Sequence, residues 1–163
     1  MYYFLINNQN ITIKGITFEN LNECHFIELD ASKNVKILNC TFRNAEGYNK
    51  NREAINIDTP DDSTDGFSKT WAKNDQTPNV KVLIKKCKFN NVIVAIGTHR
   101  YSDNGGIVYH KNITIEDCNI KKAKSYGINC LAWANCNIRN NKINSYDESI
   151  RQRETKNIKI KNN

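Results

Sequence analysis

The chain has 163 residues and a mass of 18.8 kDa, with a net charge of +7, a pI of about 9.1 and 39% hydrophobic residues. That length suffices for one domain with a buried core. No apolar stretch is long enough to span a bilayer. The basic residues are scattered and carry no nucleic-acid recognition motif, so neither a membrane nor a nucleic acid is the expected partner.

In chain order, a short motif recurs: Asn, then Ile or Val, one residue, and Ile or Val again. Asn10-Ile11-Thr12-Ile13 leads to Ile16 and Phe18, and Asn34-Val35-Lys36-Ile37 leads to Cys40 and Phe42. Lys81-Val82-Leu83-Ile84 leads to Cys87 and Phe89, and Asn112-Ile113-Thr114-Ile115 leads to Cys118 and Ile120. Asn135-Cys136-Asn137-Ile138 leads to Asn141 and Ile143, and Asn157-Ile158-Lys159-Ile160 begins another. The regular spacing is 22 to 24 residues, with longer gaps where loops 59–78 and 100–111 are inserted. Alternation of apolar and polar residues is strand-like, and no sustained helical stripe is present. Coils of roughly 20 to 25 residues built from short strands are the unit of a parallel β-helix. The expected fold is therefore an all-β, single-stranded, right-handed parallel β-helix of about six coils over residues 1–163. The chain begins and ends within the repeat, which points to a fragment of a longer solenoid or to end-to-end self-association.

Stacked coils place equivalent residues in columns about 4.8 Å apart. The predicted inward columns are Ile16, Cys40, Cys87, Cys118, Asn141 and Phe18, Phe42, Phe89, Ile120, Ile143. Three of the six cysteines fall in the first column and read as small core hydrophobes rather than as a disulfide framework. A second ladder aligns Ile27-Glu28-Leu29-Asp30, Ile55-Asn56-Ile57-Asp58, Ile96-Gly97-Thr98-His99, Ile128-Asn129-Cys130-Leu131 and Ile150-Arg151-Gln152-Arg153. Period two sends the second and fourth members outward. Asp30, Asp58 and His99 then stand in a row on successive coils, beside a column containing Asn56 and Asn129.

A polar row on the outside of a solenoid makes a groove for an extended polymer. Two carboxylates on neighbouring coils can act as acid and base or as acid and nucleophile, and a His beside a carboxylate is oriented and kept basic by it. Asp58, His99 and Asp30 are the leading catalytic candidates. In the second inserted loop, Arg100 is placed to hold a substrate carboxylate and Tyr101 to donate a proton. Glu53, Asn56, His110, Asn129 and Trp133 are candidate substrate contacts, Glu53 at the groove edge and Trp133 facing outward on the same side as His99. The first inserted loop contains Asp61, Ser63, Asp65 and Gly66, a spacing used in calcium loops, but Ala72 stands where an EF-hand requires an acidic residue. A looser calcium site is the remaining cofactor reading there, with no other metal expected. Phe67 and Trp71 in the same loop suit packing against the body better than sugar stacking.

The Asn-Ile-x-Ile ladders with the Cys-x-Phe/Ile step resemble the pectate-lyase-like superfamily of right-handed parallel β-helices. That superfamily includes polysaccharide lyases, polygalacturonases, phage tailspikes and surface adhesins. Segments 53–58 and 95–99 look like those in β-helix domains of bacterial cell-surface proteins. The polygalacturonase pattern of paired aspartates with Gly-His-Gly is missing. The resemblance implies a carbohydrate-active or carbohydrate-binding module acting on an extended, acidic polysaccharide, as a lyase or a glycoside hydrolase. The alternative is a non-catalytic adhesin or structural repeat segment of a cell-surface or phage protein. An extracellular or cell-surface location as part of a longer protein is expected, although no signal peptide is visible in the chain.

Overall fold

The computed structural model describes residues 3–22, 24–47, 52–60, 77–99 and 106–163. The described residues wind through six coils. The first contains β1 (Tyr3–Ile6), β2 (Thr12–Lys14) and β3 (Thr17–Asn22), and the second β4 (Ile27–Asp30), β5 (Lys33–Leu38) and β6 (Thr41–Glu46). The third contains β7 (Glu53–Asp58), β8 (Val80–Lys85) and β9 (Lys88–Val92). The fourth contains β10 (Val94–Gly97), β11 (His110–Lys111), β12 (Thr114–Glu116) and β13 (Asn119–Ala123). The fifth contains β14 (Ile128–Leu131), β15 (Trp133–Arg139) and β16 (Lys142–Ser145), and the sixth β17 (Ile150–Arg153) and β18 (Lys156–Lys161). Each strand pairs in parallel with its equivalent in the next coil, giving three sheets. This is an all-β parallel β-helix, as the repeat predicts.

The predicted registers hold. Ile27, Ile55, Ile96, Ile128 and Ile150 are mutual partners, as are Ile13, Ile37, Ile84, Ile115, Ile138 and Ile160. Phe42 lies between Phe18 and Phe89, with ring centroids 4.9 Å apart on each side and planes within 10°. All six cysteines are free, and all but Cys24 are buried. The thiols of Cys40, Cys87 and Cys118 point to carbonyls of the preceding coil, at Ile13, Ile37 and Ile84. Asn141 continues the cysteine column. Its carbonyl accepts from Cys118 N–H at 2.9 Å, and its amide donates to Ile115 O at 3.2 Å and to Asn163 Oδ1 at 2.7 Å.

The structure explains the Asn of the motif. Asn10, Asn34, Lys81, Asn112, Asn135 and Asn157 all have φ between 53° and 68°. A second left-handed column, φ 53° to 70°, comprises Gly15, Asn39, Lys86, Asp117, Asn140 and Asn162. Asn tolerates this conformation because its short polar side chain bonds locally, and here the amides also bond to one another. Asn34 Nδ2 donates to Asn10 Oδ1 at 2.7 Å, and Asn157 Nδ2 to Asn135 Oδ1 at 3.1 Å. Lys81 is the one non-Asn member of the first column. Lys81→Asn relieves left-handed strain and extends the ladder, so chemical denaturation should show a gain of about 1 kcal/mol. Phe42→Ala removes the middle ring of the stack and should lose about 3–5 kcal/mol in the same measurement.

Candidate functional site

Strands β4, β7 and β10 bring the leading candidates together at the sheet formed by the first strand of each coil. Asp30 is in register with Asp58, and Glu28 with Asn56. The chain turns into this sheet through two consecutive core residues in each coil, Phe26-Ile27, Ala54-Ile55 and Ala95-Ile96, all buried. That pair breaks the alternation. The residues before it, His25 and Glu53, therefore fall on the same side as Asn56 and Asp58.

His99 bridges two carboxylates. Its Nδ1 lies 2.8 Å from Glu53 Oε2 and its Nε2 lies 3.6 Å from Asp58 Oδ2. Asn56 Nδ2 donates to Asp58 Oδ2 at 3.1 Å. His25 stacks on the other face of the cluster, its ring centroid 5.3 Å from that of His99 and the planes 16° apart. His25 Nδ1 donates to the Glu53 carbonyl at 2.7 Å. Gly97 allows the close coil spacing here: a Cβ would stand 2.8 Å from both Cβ and O of Asn129.

Burial dominates the electrostatics. It pushes Asp58 up to about 7, with Glu53 and Glu28 adding to the effect and His99 opposing it. Burial also pushes His25 down to about 4, against the pull of Glu53. For His99, burial acts to lower the pKa, but the Glu53 hydrogen bond and the charges of Asp58 and Glu53 prevail and raise it.

Several expectations need correction. The polar row does not line an open groove: Asp30, Glu53 and Asn56 are fully buried, and Asp58 and Asn129 nearly so. Glu53 is thus inside the cluster rather than at a groove edge. His99 is the accessible member, with 18% of its side chain exposed. Trp133 faces inward and is fully buried, with Nε1 donating to Thr98 Oγ1 at 2.8 Å. His110 is also fully buried. The cause is the corner before the second sheet, where Ala31 and Ala132 are left-handed, φ 51° and 56°. This resets the alternation, so that Ser32, Asn79, His110 and Trp133 stack as a column inside the corner. Asn79 holds it together. Its Oδ1 accepts from Ser32 N–H, its Nδ2 donates to Leu29 O and Asp58 O, and its N–H donates to His110 Nδ1 at 3.0 Å. Arg100, Tyr101 and the Asp61–Gly66 calcium reading, with Phe67 and Trp71, lie outside the described residues.

The residue pattern alone did not reveal two features. One is His25, whose signal was the apolar pair that follows it. The other is an open cavity of about 330 Å³ where the third, fourth and fifth coils leave the third sheet, lined by Asn91, Lys122, Ala123, Lys124, Asn144, Ser145 and Tyr146. Asn20, Asn44, Asn91 and Lys122 are all left-handed at this corner. The fifth coil lacks the equivalent residue: Ile120 pairs with Ile143, but Ala123 already pairs with Ser145. The shift re-aims the chain and leaves Tyr146 86% exposed.

Burial pushes His110 down to about 3. A folded-state pKa below the unfolded value of 6.5 gives stability that is complete above pH 6.5 and is lost as pH falls towards 3. His25 acts in the same direction down to about pH 4. Relative to the parent, His110→Gln should reduce the slope of stability against pH by about 1.4 kcal/mol per unit between pH 6 and pH 4, one proton fewer. Urea midpoints across that range measure it.

No known protein-family profile and no curated protein matches the chain. Among solved structures it is similar to PfbA, a surface adhesin of Streptococcus pneumoniae, with a TM-score of 0.71 and 23% sequence identity. The match covers 85% of this chain and 32% of the adhesin chain. This chain thus spans about a third of that protein's length, and the likeness is one of fold.

Proposed function

We propose that this chain is a non-catalytic coil segment of a cell-surface, adhesin-type β-helix that binds an acidic glycan at the corner cavity beside Tyr146. The observation that carries this reading is the exposed Tyr146 ring next to Lys122 and Lys124 in an open cavity. An exposed aromatic face stacks on a sugar ring, and ammonium groups attract carboxylate or sulfate. Asn91 and Asn144 add amide donors and acceptors at the rim. The net charge of +7 favours an anionic ligand over a neutral one. The similarity to a surface adhesin supports the cell-surface setting.

A second reading, a polysaccharide lyase or hydrolase of pectate-lyase-like type, is favoured by His99 between Glu53 and Asp58, in an environment that raises the proton affinities of His99 and Asp58. Its weakness is access, because the carboxylates are covered.

Binding of uronate-containing and sulfated polysaccharides by calorimetry separates the two. Tyr146→Ala and Lys122→Ala with Lys124→Ala should each weaken binding about ten-fold or more, with affinity falling as salt rises. Lys36→Ala, on the second sheet, should leave it unchanged. Release of unsaturated products or reducing ends, abolished by His99→Ala, would replace the binding reading with the enzymatic one.

A further inference from the structure

The His25–Glu53–His99 cluster has a property that glycan binding does not use. One nitrogen of each imidazole and one carboxylate oxygen of Glu53 lie within 4.8 Å of one another. Two imidazoles and a carboxylate form a donor set suited to zinc and related divalent transition metals. Bonds of about 2 Å in a tetrahedral zinc site place ligand atoms roughly 3.3 Å apart, so small side-chain adjustments close the cluster on an ion.

A second observation points to a ligand. Glu53 is fully buried, and its Oε1 has no hydrogen-bond partner among the described residues. A buried carboxylate oxygen without a donor is unfavourable, and a coordinated cation satisfies it. Supporting partners are also in place. His99 Nδ1 faces Glu53 and its Nε2 faces Asp58, whose Oδ2 is held by Asn56. A carboxylate behind a ligating imidazole orients it and strengthens its donor nitrogen. His25 Nδ1, 3.8 Å from Glu53 Oε2, gives up its bond to the Glu53 carbonyl when it takes the ion.

We infer that His25, Glu53 and His99 form a site for one divalent transition-metal ion of zinc type, which ties together the second, third and fourth coils. His25 precedes β4, Glu53 opens β7 and His99 follows β10. The ion acts as a cross-coil staple. The partial exposure of His99 gives it an entry path.

The test is titration of the untagged, chelator-treated chain with Co²⁺, followed by visible absorption and calorimetry, with Zn²⁺ as competitor. The expected result is one ion per chain, the absorption of nitrogen and oxygen ligation without a thiolate charge-transfer band, displacement by Zn²⁺, and a raised thermal midpoint. His25→Gln, Glu53→Gln and His99→Gln should each weaken Co²⁺ binding more than ten-fold, and Asp58→Asn about ten-fold. Where a ligand variant does not fold, the parent spectrum and Asp58→Asn decide. Absence of saturable binding, a thiolate band placing the ion at Cys24, or unchanged affinity in folded His99→Gln would each overturn the site.

Discussion

In-register parallel pairing is the constraint on which the rest of this structure depends. Each residue's nearest neighbours across the sheet are its own equivalents in adjacent coils, so a side chain must tolerate copies of itself. Phenyl rings do so by stacking, as Phe18, Phe42 and Phe89 show. Amides do so by donating one way and accepting the other, as in the Asn10–Asn34 and Asn135–Asn157 pairs. Carboxylates do so only at a cost, because like charges repel. Asp30 and Asp58 are register partners, and a third carboxylate in the next coil would add a like charge. The chain places His99 beyond β10 instead, and its imidazole lies against Glu53 and Asp58. The cluster is therefore a consequence of the same pairing rule that builds the core.

The corners are the second determinant. Left-handed residues recur there because a short turn between sheets demands positive φ, and Asn meets that demand with little strain. Each such residue also resets which side the next side chain faces. At Ala132 this sends Trp133 into the core, and the same corner encloses Asn79 and His110. At the exit of the third sheet, loss of one left-handed residue in the fifth coil opens the cavity beside Tyr146.

Much of this was legible in the sequence, because columns follow from the repeat alone. The Asn-Ile-x-Ile line placed Cys40, Cys87 and Cys118 together, and the second ladder set Asp58 and His99 in one row. What period two cannot express is a side chain that leaves the core face and is nevertheless covered, as Asn56 and Asp58 are. Nor does strict alternation survive two consecutive inward residues such as Ala54-Ile55, and for that reason His25 was missed and Glu53 was set at an edge. Trp133 failed for the corner reason: alternation was carried through a residue that breaks it.

The balance between binding and catalysis turns on access. An acid–base pair must reach the bond it cleaves, within hydrogen-bond distance of a substrate atom. In the His99 cluster the carboxylates lie beneath the surface, one imidazole nitrogen faces Glu53 and the other faces Asp58. The Nδ1–Glu53 hydrogen bond holds the cluster together, and it also occupies one of the two ring atoms that would transfer a proton to a substrate. At the Tyr146 corner the groups are of the opposite kind. They are exposed, cationic or aromatic, and suited to hold a ligand without changing it. The two features share coils three and four and differ in their place around the solenoid: the buried polar cluster lies at the first sheet, and the open cationic cavity lies where the chain leaves the third.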